Sequence, residues 1–290
     1  MKTHSKLPAN TQIRRIGIII SGMNNANIPA LSYLLLHLNT IQSTFEYEIL
    51  PFEEHDEFIS SLISQRPVDR EPVRTKIDAF IDRLEACLKG WMAEAEITDT
   101  SLPASYILIT TTKFSDGYYS MRQGRLSILA LGNWQRSMAP PSILEFLLTL
   151  VVRESVSMVS PSLQGSVHYG TKGCLCDFTP FLDDARYKVL NAFICTNCRN
   201  ALIQDQLPTL ADEIILVLNK QWFGKAADLD SPAGITAKLG YHLFLTKGFD
   251  ANFWEKFTEI LREESVRLIM SAIGTVLVAG LLLWFGLSKP

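Results

Sequence analysis

Four cysteines crowded between positions 174 and 198 limit most sharply how this chain can fold. The stretch GCLCDFTPFLDDARYKVLNAFICTNC, Gly173 to Cys198, holds four of the chain's five cysteines, and Cys87 stands alone far upstream. Cys195-Thr-Asn-Cys198 is a CxxC, a spacing whose turn points both sulfurs toward one tetrahedral ion. Cys174 and Cys176 make a second close pair, with eighteen residues between Cys176 and Cys195. Two close pairs across a loop of that size have the layout of a closed structural zinc site. A redox CxxC would leave the second pair without a role. Unpaired buried cysteines would have no reason to cluster. The CxC spacing leaves the fourth ligand open, because His168 lies six residues before Cys174. The expectation is one structural Zn2+ on Cys174, Cys176, Cys195 and Cys198, with His168 as the rival ligand. Such an ion would staple the fold and catalyse nothing.

The bulk numbers bound the rest. The chain has 290 residues and 47% hydrophobic content, enough for a real core. A net charge of −3 offers no basic excess for a phosphate backbone, so no nucleic-acid partner is expected. Residues 1–12 are polar, read as a flexible N-terminus, and lack the apolar core of a secretory signal. The bulk of the chain is therefore expected to be cytoplasmic, where cysteines bind metal more readily than they pair.

The other end differs in kind. Leu268 to Leu287, LIMSAIGTVLVAGLLLWFGL, is twenty residues without a charge. At about 1.5 Å per residue a helix of this length matches the ~30 Å hydrocarbon core of a bilayer. Trp284 sits near one end, where indole favours the interface. Arg262 and Arg267 precede the run and only Lys289 follows it. The expectation is one C-terminal transmembrane helix over 266–288, single-pass, with the bilayer as a partner. A buried core helix is the alternative. Gly274 and Gly280 are six apart, so the run carries no GxxxG dimer face.

Between these ends the pattern is α/β, or α+β. Ile13 to Ser21 is a buried, β-branched strand, Ile28 to Leu38 has helical period, and Phe45 to Phe52 is a second strand. This βαβ order predicts a parallel pair. A charged stretch follows with two helical segments, the longer near Val73 to Ala95. Ser105 to Thr112 is a third strand, and Tyr118 to Met121 and Leu126 to Leu131 flank a hairpin turn. After Pro140-Pro141, Ser142-Ile-Leu-Glu145 is a capping box for a nearly all-apolar helix, Ile143 to Val159, which Pro161 should close. Past Cys198 the chain is helix-rich: Leu210 to Gln221 is amphipathic, Asp228 to Gly234 is a loop, and Ile235 to Leu245 is helical. From Asp250 an amphipathic helix leads into the apolar run. Asp183-Asp184 is expected to be solvated.

The order of these elements resembles the archaemetzincin family of zinc metallopeptidases. That family carries HExxHxxGxxH on its central helix and continues HC, four residues, CxM, seventeen residues and CxxC. Here His168-Tyr169, four residues, Cys174-Leu-Cys176, eighteen residues and Cys195-Thr-Asn-Cys198 match to within one residue. Tyr169 stands where the family's first zinc cysteine would be, and Cys176 where its Met would be. The resemblance covers about Ile13 to Cys198. It implies a metzincin-like mixed sheet with a central apolar helix and a structural zinc loop over 168–198. The domain would span 13–204, with a helical region over 205–265 leading to the membrane.

The catalytic half departs from the family. The helix reads Val152-Arg153-Glu154-Ser155-Val156-Ser157-Met158. Glu154 matches the general base, but Arg153 and Ser157 occupy the two histidine positions and Leu163 the third. A guanidinium is always charged and cannot ligate zinc. Without two imidazoles one turn apart, Glu154 has no metal-bound water to deprotonate. The expectation is a tail-anchored cytosolic pseudo-metallopeptidase that binds or senses at the membrane, through a protein partner or self-association. The alternatives are an active membrane-tethered zinc peptidase with an atypical site around Glu154 and His168, and a membrane effector whose soluble domain assembles on a signal.

Overall fold

A strand such as Arg-Arg-Ile-Gly-Ile-Ile-Ile-Ser, apolar on both of its alternating faces, is stable only where both faces are covered. The structure, a computed structural model, meets that need with a sheet between two layers of helices. It describes residues 13–23, 27–63, 66–98, 101–164, 168, 171, 173–240, 257 and 261. Residues 1–249 form one unit and 250–290 another.

The elements of the first unit run β1 (Arg14–Ser21), α1 (Ile28–His37), β2 (Phe45–Ile49), α2 (Glu57–Leu62), α3 (Arg70–Arg74), α4 (Ile77–Glu94), β3 (Ser105–Thr110), β4 (Ser120–Gln123) and β5 (Leu126–Ala130). There follow α5 (Ile143–Val159), α6 (Pro161–Gln164), α7 (Leu182–Asn191), α8 (Thr196–Gln204), α9 (Leu210–Leu218) and α10 (Pro232–Lys238). The sheet order is β2-β1-β3-β5-β4. β1 pairs parallel with β2 and β3, β3 parallel with β5, and β4 antiparallel with β5. This is a mixed five-stranded sheet, with the parallel pair that the βαβ order predicts.

The period of two sorts the strands' side chains between two cores. Ile16, Ile18, Ile107, Ile109 and Leu129 face α1, α5 and the later helices. Ile19, Tyr106, Leu108, Ile128 and Ala130 face α2, α3 and α4. Of these, α5 is the central helix of the first layer: twelve of its residues are buried. Its capping box forms as the sequence predicts. The Ser142 N–H donates to Glu145 Oε2 at 2.7 Å, and the Glu145 N–H donates to Ser142 Oγ at 3.4 Å. Burial tends to raise the Glu145 pKa, but the Ser142 N–H and the charge of Lys220, 3.0 Å away, outweigh it and hold the carboxyl below its ordinary value. Asn27 caps α1 with its side-chain oxygen, 3.0 Å from the Ala30 N–H, while its amide nitrogen donates to the Leu239 carbonyl at 2.6 Å, just past α10.

Two local expectations gain detail and one is corrected. Pro161 does close α5, but it also opens α6, because proline suits the first helical position. The Asp205 carboxylate accepts from the Ser162 N–H at 3.0 Å and the Ser162 hydroxyl at 2.7 Å, and so caps that turn. Asp183 and Asp184 are exposed, as expected, and α7 carries both acids in its first turn, where the helix dipole favours them. The loop expected over Asp228 to Gly234 ends early. Ser231 caps α10 through Gly234 and Pro232 takes its first position.

Among the described residues no helix is long and apolar enough to cross a membrane. The run 268–287 with Leu268, Trp284 and Leu287 lies outside the described residues, as do residues 1–12 and Tyr169.

Candidate metal centre and adjoining cleft

The cysteine segment folds around Asp177. Its carboxylate accepts from the Gly173 N–H at 2.6 Å, the Cys174 N–H at 3.1 Å and the Thr171 hydroxyl. The turn this makes reverses the chain at Cys174. Gly173 sits there at φ +129°, and a Cβ would meet the Asn191 side chain at 2.4 Å, so the position demands glycine. Cys174 then bridges Phe193, and the Leu175 N–H donates to the Phe193 carbonyl at 2.8 Å. That pairing lays Cys174 beside the start of α8. Cys195 is the N-cap residue of α8, and Cys198 lies in its first turn.

His168 arrives from the other side, bridged to Asp177. Its Nδ1 lies 2.8 Å from the Asp177 carboxylate. This contact fixes the ring so that Nε2 faces the sulfurs, 3.1 Å from Cys198 Sγ and 3.4 Å from Cys195 Sγ. The Cys174 and Cys198 sulfurs are 4.0 Å apart. The ligand atoms of His168, Cys174, Cys195 and Cys198 all lie within 4.8 Å of one another. Zn–S bonds of ~2.3 Å in a tetrahedron place ligand atoms ~3.8 Å apart, so the four donors fit one zinc ion. A carboxylate behind the metal-facing histidine is the usual second support of such a site.

Cys176 is fully buried and touches the same group. Contacts with the Cys174 and then the Cys198 thiols hold its own thiol down, to about 3, while Cys174 and then Cys176 push Cys198 up. Sulfurs packed this closely cannot all lose their protons without a cation among them. That is the chemical case for a metal, since the described cysteines are all free of disulfides. The Cys195 N–H donates to Cys174 Sγ at 3.4 Å, as backbone donors do toward thiolates.

The cleft beside this centre encloses about 240 Å³. α5 supplies Arg153, Glu154 and Ser157 to its wall, and β4 supplies Arg122. Glu154 Oε2 accepts from the Ser127 hydroxyl at 2.6 Å. The Arg122 guanidinium donates to the Ser157 hydroxyl at 2.9 Å and to the Ser157 carbonyl at 2.8 Å. The residue at the second histidine position is thus engaged by a cation. Burial, then the nearby Arg153 charge, lowers the Lys188 pKa to about 8; Lys188 lines the same cleft. Its ammonium donates to the Asp177 carbonyl at 2.8 Å. Asp177, Arg122 and Lys188 carry no sequence motif. Asp177 alone gives a faint signal, as an Asp three residues past Cys174 suited to bonding its own backbone.

No family model and no curated protein matches this chain. Solved structures similar to it include two zinc-peptidase folds. One is a zinc-dependent peptidase from Methanocorpusculum labreanum (strain Z), at 16% identity and a TM-score of 0.37, over 64% of this chain and 99% of that one. The other is an archaemetzincin from Methanopyrus kandleri, at 11% identity and a TM-score of 0.40, over 69% of this chain and 99% of that one.

Proposed function

We propose that this chain is a pseudo-metallopeptidase: a zinc-stapled domain whose cleft binds a ligand and does not cut peptide bonds. One observation carries the reading. Arg153 and Ser157 stand on α5 where histidines would hold a catalytic zinc, and the Arg122 guanidinium bonds Ser157 directly. A site walled by these cations repels a divalent metal, and neither residue can replace an imidazole. Glu154, tied to Ser127, is left with a structural role.

The zinc belongs to the other site. His168, Cys174, Cys195 and Cys198 would hold it, with Cys176 packed beside them. Bound there with four protein ligands, it supplies folding free energy and keeps no open position. The test is metal counting on the purified chain together with a peptide-library assay. One zinc per chain and no cleavage is the expected result. Two zincs, or cleavage that vanishes in Glu154→Gln, would overturn the reading.

The domain over 13–204, the helical region over 205–265 and the anchor over 266–288 complete the proposal. The apolar run would insert favourably, since Leu, Ile, Phe and Val each contribute roughly −0.3 to −0.6 kcal/mol at a helix centre. The bulk of the chain would then lie in the cytosol against the bilayer, placed to engage a protein partner or a second copy. Deleting residues 266–290 should release the protein from membranes. A truncated chain that stays in the pellet through a carbonate wash would show that something else holds it.

A further inference from the structure

The cleft beside α5 is walled by Arg70, Arg74, Arg122, Arg153 and Lys188, opposed by the two carboxylates of Glu154 and Asp177. This balance is reversed from that of the whole chain, whose net charge is −3. Arg70 is paired with Asp116 at 2.5 Å, and Arg74 reaches Glu71 at 3.6 Å. The other three cations differ. Arg122 donates to Ser157 and to the Gln164 carbonyl, all neutral acceptors. Lys188 is only 2% exposed and donates to a carbonyl. Arg153 Nη1 is buried without a hydrogen-bond partner. Among the described residues no carboxylate forms an ion pair with Arg122, Arg153 or Lys188. Asp177 spends its carboxylate on His168, Thr171, Gly173 and Cys174.

Burying cations without counter-charge is strongly unfavourable. A zinc held by three thiolates and one imidazole carries a net charge of −1, which offsets part of the charge of Arg153 and Lys188. Glu154, bonded only to the neutral Ser127 hydroxyl, offsets part of the charge of Arg122 without forming an ion pair with it. We propose that this cleft binds a small phosphate-bearing anion. Guanidinium groups match phosphate oxygens in pairs, and a phosphate monoester brings about −1.5 to −2 charges into one small volume. A carboxylate offers two oxygens to these groups, whereas a phosphate monoester offers three strong acceptors that Arg122, Arg153 and Lys188 can share. The volume, about 240 Å³, falls below the ~300–1,000 Å³ of sites for drug-sized ligands, which restricts the ligand to a small one.

The proposal rests on the binding reading of the cleft and names its ligand class. It is tested on the full chain, purified in detergent with its zinc content measured. Calorimetric titration compares inorganic phosphate, glycerol 3-phosphate and acetate. Saturable binding of both phosphates, with acetate at least tenfold weaker, is the expected result. Arg153→Gln and Arg122→Gln should each weaken phosphate at least tenfold while the zinc count stays unchanged. Lys188 lies too deep to serve as the sole probe, so the two arginine variants carry the test. Absent phosphate binding in zinc-replete protein, or binding that neither variant weakens, would overturn the proposal. Peptide cleavage or a second zinc would sink the pseudoenzyme reading separately, whatever phosphate does.

Discussion

On one side of the sheet Phe58 stacks on Phe80 at 4.6 Å, and Ile59, Leu62, Ile77 and Leu84 close around them. The charged groups there stay near the surface, as Arg83 does on Asp56 and Arg125 on Glu85. On the other side, beyond α5, polar and ionisable groups go inside: Asp177 and Lys188 are buried, and Cys174, Cys176 and Cys198 lie within the core itself. The first side follows the ordinary rule that apolar burial stabilises and charges remain wet. The second gathers donors that fit one zinc ion. The difference teaches where this domain keeps its specificity. Apolar packing tolerates substitution of similar volume, whereas a ligand set does not.

The widest gap between the two sides should appear on removing a ligand. Cys198→Ser should abolish zinc binding and unfold the 168–198 loop, since structural zinc contributes on the order of 10–16 kcal/mol of apparent binding energy in small peptides. Cys176→Ser should keep one zinc by elemental analysis. If both variants lose the metal alike, Cys176 is a ligand and the four-donor set is wrong. A smaller effect is expected across the sheet. Phe58→Ala should cost about 3–5 kcal/mol in denaturant unfolding, because it empties a fully buried ring position. It should leave the zinc count at one; loss of zinc there would mean that the two sides are not separable.

The smallest effect concerns Asp56. Burial alone raises its pKa, but Arg83 and the Phe58 and Ile59 N–H groups outweigh it, and the carboxyl is held below 3.8. A depressed folded pKa means that the stabilisation is complete above the ordinary carboxylate range and is lost as pH falls through the folded value. Asp56→Asn keeps an N-cap acceptor and loses the ion pair, so a loss of about 0.2–1 kcal/mol is expected at pH 7. Its unfolding below pH 4 should depend less on acid than that of the parent chain. An unchanged acid limb would place the pH dependence elsewhere, with Glu145 the next carboxyl to examine.

Much of the sheet and of the α1 and α5 layer was legible in the chain. The Ile-rich strand, the βαβ order and the Ser142-to-Glu145 box are local signals, and local chemistry decides them. The metal centre was half legible. CxxC announces itself, but spacing cannot say whether Cys176 or His168 turns toward the other sulfurs. The His168–Asp177 bridge, a tertiary contact, turns the His168 ring toward Cys195 and Cys198, while Cys176 touches Cys174 and Cys198. α7 escaped notice because it is a short helix inside a loop, with two acids at its start and Ala192 in the left-handed region at its end. The cationic wall was invisible for a different reason. Its members come from α3, β4, α5 and α7, and no stretch of sequence shows them together.

The Asn27 side chain has a mechanical consequence. Its oxygen holds the first turn of α1 and its nitrogen holds the Leu239 carbonyl, so one amide joins the start of α1 to the end of α10. A load applied at Gly240 would pass through α10 to α1, which packs on the parallel strands. The zinc loop lies off that path.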